Sequence, residues 1–355
     1  PQFHLCNESN WEESANNLNL ALYMKADSTI IVRSLGVAEG KYPPYIPLYK
    51  NCHNRYQSIY LSTQATLSKI HFYELGLNNL AENQHMISVL ANQFIGKTAI
   101  ILGAGPSLDD QLPWIQANQD RLYIFAVSRL AKKLHRLNIT PDFIVTVDPK
   151  IGSFYLGKEM FNFEEQSILI NSYHSNPQLL SQWGGERLFI GQRYPWKTDN
   201  NNDGSAQTGS TVSNAALDST IIMGFSQILL AGVDFCFDSK GYTHTSDTGA
   251  AIHQAPMVVS DTADKLVTNN YGETVETTFA FTIASEEFEK TASKLKKPHQ
   301  TISNLSGSSI KMRGVEYTPK EQITLNTSSK TSHPIIPKQP LEQYYKNCLQ
   351  ELKEA

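Results

Sequence analysis

From Lys97 onward the chain repeats one pattern: a short apolar run, a break, then a mostly amphipathic stretch. The runs lie at residues 99–102, 122–127, 143–147, 168–170, 188–190 and 228–233. A strand with one face in water alternates apolar and polar residues. These runs do not alternate, so both of their faces are expected to be covered. Helices are expected between them, near residues 109–119, 129–137, 177–183 and 212–223. The fold class that follows is α/β, a Rossmann-like, mostly parallel sheet with helices on both faces. The expected strand ends carry Gly103, Ser128, Asp148 and Asp234. Ligands of open α/β sheets sit outside the carboxyl ends of the strands, so these scattered polar residues are expected to share one crevice.

The 355 residues, 40% of them hydrophobic, suffice for two domains or one large domain with appendages. A net charge of −4 and the lack of Lys or Arg runs argue against a nucleic-acid partner. No stretch approaches ~20 apolar residues, so no membrane span is expected. The first residues lack the charged and apolar regions of a signal peptide. Cys6, Cys52, Cys236 and Cys348 show no metal-ligand spacing and read as reduced thiols of a cytoplasmic protein.

Four regions are expected. Residues 1–95 are a mixed, partly helical segment, with a helix at 18–24, a short strand at 29–32, a breaker at 40–44 and approximate helical spacing over 60–94. Residues 96–317 are the Rossmann-like domain, with a lid or functional loop at 238–275 and a helix at 279–295. Residues 318–340 are a linker rich in Ser, Thr, Lys and Pro. Residues 341–355 are an amphipathic helix with a stripe of Leu341, Tyr344, Tyr345, Cys348, Leu349 and Leu352, a surface for its own protein, a partner or a homo-oligomer.

Two turns are candidate anion sites. In the first, an apolar run ends in Gly103-Ala104-Gly105-Pro106-Ser107, and a helix is expected to open at once. Backbone N–H groups beside a helix start suit a phosphate or carboxylate. Leu108 stands where a dinucleotide fingerprint has its third glycine, and no Gly-Lys-Ser/Thr ending follows, which argues against NAD and against a P-loop polyphosphate. Ser107 is placed to cap the helix or to donate its hydroxyl to an anion. The second turn, residues 208–214, has four hydroxyl residues in six positions, among them Ser210 and Thr211 after Gly209. A helix N-cap explains part of that density, and a bare strand-to-helix turn would explain the first without any ligand. Asp148 and Asp234 each close an apolar run, where they would hold sugar hydroxyls, bind a metal or cap a loop. Neither belongs to an Asp-x-Asp pair, so no dedicated metal site is expected. His244, soon after the Asp234 strand end, is the candidate general base, with His253 as its rival. Arg129, Arg193 and Lys197 are nearby cations suited to phosphate or carboxylate, or to the plain surface.

Four motifs occur in order: residues 103–108, Ile139 to Pro149, Thr208 to Ala216, and Gly224 to Phe235. Over roughly residues 96–315 this order resembles the central domain of the motility-associated factor family, flagellin glycosyltransferases that use nonulosonic acids such as pseudaminic and legionaminic acid. It is more distantly similar to bacterial sialyltransferases with a Gly-Asn-Gly-Pro-Ser-Leu turn. The resemblance implies inverting transfer from a CMP-sugar donor to Ser or Thr of a flagellin acceptor, with His244 as base, Asp234 also catalytic, and no obligatory cofactor, Mg2+ being possible. Donor contacts are then expected from Gly103, Ala104, Gly105, Pro106, Ser107, Ser128, Asp148, Gly209, Ser210 and Thr211. Ala104 and Asp148 stand where the sialyltransferases carry Asn. Two alternatives stay open. A pterin pyrophosphokinase family shares the turn and would transfer diphosphate from ATP with Mg2+. A non-catalytic assembly factor would bind a nucleotide sugar without turning it over.

Overall fold

Strands buried on both faces need two apolar layers, and the computed structural model has them. It describes residues 70–353 apart from 195, 197–208, 247, 249–264, 295, 326–329, 331–333, 335 and 338, together with Asn10, Glu13, Ser14 and Asn17. The helix and strand expected at 18–24 and 29–32, the breaker at 40–44, Cys6, Cys52, Lys197 and His253 lie outside the described residues. The chain divides into two compact units, Pro1–Tyr73 and Glu74–Ala355. The second holds everything that follows, including residues 74–95.

In chain order its strands are β1 (Thr98–Leu102), β2 (Tyr123–Val127), β3 (Phe143–Thr146), β4 (Ile168–Ser172), β5 (Arg187–Ile190), β6 (Gln227–Ala231), β7 (Lys265–Thr268), β8 (Thr274–Thr277), β9 (Thr301–Asn304) and β10 (Glu316–Tyr317). Eight of them form one sheet in the order β10-β9-β6-β1-β2-β3-β4-β5, and every pair in it is parallel. The α-helices of this unit that follow β1 are α1 (Leu112–Asn118), α2 (Ala131–Arg136), α3 (Ile151–Gly157), α4 (Pro177–Gln182), α5 (Val212–Met223), α6 (Phe279–Lys294) and α7 (Leu341–Lys353).

Alternate residues of each strand enter opposite layers. Ala99, Ile101, Tyr123 and Phe125 join a cluster with Phe94, Phe143, Phe225 and Phe288, whereas Ile100, Leu102, Ile124 and Ala126 join Leu112, Leu134, Phe163 and Trp183. In the first layer Phe94 stacks on Phe225, with centroids 4.6 Å apart, and meets Tyr123 edge-on at 5.0 Å. The sheet is the Rossmann-like α/β architecture read from the sequence.

Several elements differ from expectation. The helix expected from residue 109 starts at Leu112, after a 3-10 turn at Pro106–Leu108, and Asp109 is engaged elsewhere. The helical spacing of residues 60–94 ends in a 3-10 helix at Ile87–Leu90. Next to it the Phe189 amide bonds to the His85 carbonyl, extending the β5 edge. The long polar segment after residue 238 contains the antiparallel hairpin β7–β8. It fastens the chain beyond β6, because the Phe237 amide donates to the Glu276 carbonyl and the Thr277 hydroxyl to the Phe235 carbonyl. Tyr344, Cys348 and Glu351 are the buried face of α7, while Leu341, Tyr345, Leu349 and Leu352 stay exposed. Tyr344 donates to the Leu80 and Asn83 carbonyls at 2.8 Å.

At the carboxyl ends of β1 and β6 the two backbones run on in contact. The Gly103 amide donates to the Ala231 carbonyl at 2.9 Å and the Gly105 amide to the Gly232 carbonyl at 2.8 Å. A Cβ on Gly103 would fall 2.3 Å from the Gly232 carbonyl oxygen. Gly103→Ala is therefore expected to destabilise the fold by about 3 kcal/mol. Gly152→Ala, on the open face of α3 with nothing near its Cβ, is expected to be neutral or stabilising by about 0.5 kcal/mol. Urea denaturation of both variants measures the contrast.

Candidate functional site

The sheet changes direction between β1 and β6. The chain runs outward from β1 to β5, then returns to lay β6 on the other side of β1. A crevice opens where the strand order reverses. It is a cavity of about 340 Å3 whose walls include Ala104 and Gly105 after β1, Ser128 and Arg129 after β2, and Asp148 after β3. Ser210 and Thr211 enter at the start of α5, and Asp234 and His244 after β6. Nine of the residues singled out in the sequence thus share one cavity. Gly103 lies behind it in the β1–β6 contact. Pro106 and Ser107 face a smaller neighbouring hollow with Asp110 and Asp238. Gly209, at φ +60°, shapes the approach to α5.

The glycine turn differs from the expected anion cradle. Besides the amides taken by Ala231 and Gly232, the Ser107 amide donates to Asp234 Oδ2 at 2.9 Å and the Ser107 hydroxyl to Asp234 Oδ1 at 2.5 Å. Ser309 donates to Oδ1 at 2.6 Å. The group seated against this turn is the protein's own carboxyl, only 5% exposed. Asp234 is therefore a pin between β1 and β6, and the hydroxyl expected of Ser107 as a donor contact is turned to that pin. Gly105 has no side chain where a Cβ would lie 2.4 Å from Asp234 Oδ2. The acidic residue three positions beyond β6 is the sequence signal for this partner inside the chain.

The second turn behaves as a helix start. Thr211 caps α5, its Oγ1 accepting from the Asn214 amide and donating to Asn214 Oδ1 at 2.5 Å. The Ser210 amide donates to Glu287 Oε2 at 2.8 Å.

Arg129 brings positive charge to the cavity wall. Burial lowers its pKa and the Asp148 charge raises it again. Arg193, the other described candidate cation, lies elsewhere. It is buried over the Phe189 and Tyr344 rings, donates to the Asn83 carbonyl at 2.6 Å and faces Glu351 at 3.8 Å, tying α7 to the end of β5.

His244 is half-buried on the loop after β6, with Nδ1 2.9 Å from the Thr243 hydroxyl. Its neighbour Thr245 donates its amide to the Ala104 carbonyl at 2.8 Å and its hydroxyl to Asp109 at 2.6 Å. Lys133 donates to Thr245 Oγ1 at 2.6 Å and to the Ser246 carbonyl at 3.0 Å, and it pairs with Asp109. Sequence reading passed over Lys133, Asp109 and Thr245. Nothing in the spacing of a lysine on a short helix marks it as buried.

The Asp234 environment sets a pH dependence. Burial raises its pKa above the ordinary aspartate value, against the lowering effect of the hydrogen bonds from Ser107 and Ser309. A carboxyl with a raised folded pKa contributes stability that is complete below its unfolded pKa and is lost as pH rises through the folded one. Denaturation midpoints across about pH 4 to 8 should therefore show the wild type losing stability relative to Asp234→Asn as pH rises. A difference that stays flat with pH would contradict this assignment.

Residues 75–240 match the family model described as 6-hydroxymethylpterin diphosphokinase MptE-like. A comparison with curated proteins gave no significant match. Among solved structures, the fold is similar to that of the Maf glycosyltransferase from Magnetospirillum magneticum AMB-1, with a TM-score of 0.55 and 17% identity. That match covers 75% of this chain and 43% of the other, so the chain spans less than half the length of that structure. The chain thus shares its fold with the Maf glycosyltransferase and, over residues 75–240, its sequence pattern with the MptE-like diphosphokinases.

Proposed function

We propose that this chain is a glycosyltransferase that moves a nonulosonic acid from a CMP-activated donor to a Ser or Thr hydroxyl of a flagellin acceptor. The observation that carries the reading is the meeting of His244, Arg129 and the hydroxyls of Ser128, Ser210 and Thr211 around one cavity at the switch point of the sheet. The fold shared with the Maf glycosyltransferase supports it.

The donor has a carboxylate on the reacting carbon and a phosphate on the leaving group. Arg129, with the start of α5 and the surrounding hydroxyls, would receive these charges. Ala104 and Gly105 offer close backbone approach, and Asp148 would meet sugar hydroxyls. In the transfer, the acceptor oxygen bonds to the anomeric carbon from the face opposite CMP. The bond from that carbon to the phosphate oxygen breaks with its electron pair on CMP, and the configuration inverts. His244 takes the hydroxyl proton through Nε2, its ring oriented by Thr243 at Nδ1. Charge on the departing phosphate is met by fixed donors. Asp234 acts at one remove, holding the turn that carries Ala104 and Gly105.

A second reading, diphosphate transfer from ATP to a hydroxymethylpterin, is favoured by the family match over residues 75–240. Calorimetric titration with CMP and with ATP, each with and without Mg2+, separates the two. Metal-independent binding of CMP, weakened roughly tenfold in Arg129→Ala (~1.4 kcal/mol), is expected of the transferase. His244→Ala should keep CMP affinity and lower transfer to flagellin by ~10²–10⁴-fold. Selective binding of ATP with Mg2+ would overturn the transferase reading in favour of the kinase. Binding of CMP with no transfer by the wild-type chain would leave a nucleotide-sugar-binding assembly factor.

A further inference from the structure

We propose that Lys133, together with Asp109 and Thr245, is a positioning device that sets His244 against the cavity. The proposal rests on the reading of His244 as the group that takes the acceptor proton.

The loop bearing His244 is fastened at two places. At its start, Asp238 Oδ1 accepts from the amides of Lys240 at 2.9 Å and Tyr242 at 2.8 Å. Its far side is fastened at Thr245, directly beside the imidazole. Thr245 is 4% exposed. Its amide donates to the Ala104 carbonyl of the glycine turn, and its hydroxyl donates to Asp109 while accepting from Lys133. The Lys133 ammonium has three close acceptors around it, the Asp109 carboxylate, the Thr245 hydroxyl and the Ser246 carbonyl, with the Ser246 hydroxyl farther off at 3.5 Å.

An ammonium is among the most costly groups to bury without partners, and Lys133 is 7% exposed. Its three protons are spent on atoms from two other chain segments, one after β1 and one after β6, while Lys133 itself follows β2. Three of the strand ends that wall the cavity, those of β1, β2 and β6, are thus joined at one nitrogen. Lys133 also lies one helical turn beyond Arg129, which faces the cavity. The same short segment therefore presents one cation to the ligand space and uses the next to hold the base. Removing the ammonium leaves Thr245 and Ser246 without their shared donor, so the His244 loop is released on the side nearest the imidazole.

The test uses the full chain, CMP as the binding probe, and transfer from a CMP-nonulosonic acid to flagellin as the turnover assay. In Lys133→Met, CMP affinity should stay within about twofold, kcat should fall roughly 10–100-fold, and exchange of the Thr245 amide should accelerate at least about tenfold. Added to His244→Ala, Lys133→Met should lower kcat no further, because residues acting through one group are not additive. Thr245→Val should reproduce the loss, and Thr245→Ser, which keeps the hydroxyl, should restore turnover. These two variants decide the matter if Lys133→Met does not fold. Unchanged turnover and exchange in Lys133→Met or Thr245→Val would overturn the proposal, as would a kcat loss that adds to that of His244→Ala. If His244→Ala transfers normally, the base reading fails and the positioning role with it. That failure is told apart from a missing tether by the exchange rate, which stays accelerated in Lys133→Met.

Discussion

The contact between the ends of β1 and β6 decides what the rest of the site can be. Two parallel neighbours would ordinarily diverge once their ladder ends. Here the backbones continue together, because Gly103 and Gly232 bring no side chains to the junction and the amides of Gly103 and Gly105 find carbonyls across it. Asp234 then reaches back to Ser107, so the turn is closed by a side chain as well as by backbone bonds. With that floor fixed, the Ala104 carbonyl stands where Thr245 can reach it, and the His244 loop is hung from the far strand onto the near one.

Protein carboxyl groups occupy places whose donors would otherwise suit a ligand's charge. Asp234 sits on the glycine turn, Glu287 on the Ser210 amide and Asp109 on Lys133. Buried or half-buried donors seek acceptors within the chain first, since an unmet donor costs more than a made bond gains. Arg129 faces the cavity beside Asp148.

Much of this was legible in the sequence, for definite reasons. Runs such as Ile100-Ile101-Leu102 are apolar at consecutive positions, and only a strand covered on both faces uses such a run. The strand-end residues Ser128, Asp148 and Asp234 fell together because parallel strands align their carboxyl ends. The hairpin β7–β8 was not legible, since its residues are mixed in character, mostly exposed or half-buried with Thr277 buried, and its place is set by bonds to Phe235 and Phe237. Arg193, open in the sequence between a ligand cation and a surface charge, is buried away from the cavity, because its partners Asn83 and Glu351 come from segments far apart in the chain. The stripe on α7 misled for a related reason: the buried face runs through Tyr344, Cys348 and Glu351, where a buried arginine makes a glutamate a core residue.

The order in which the strands enter the sheet bears on how the site comes into being. Strands β1 to β5 lie side by side in chain order, so each can pair with the one before it over a short connection. β6 must return to the opposite edge of β1, and the bond from Ser107 to Asp234 spans 127 residues. Closing so long a loop is slow relative to local pairing. Until β6 docks, β1 is an open sheet edge ending in a turn whose amides have no carbonyls to meet. A chain synthesised only as far as α5 therefore has an outer sheet but no cavity, and the capacity to bind appears together with the closing of that edge.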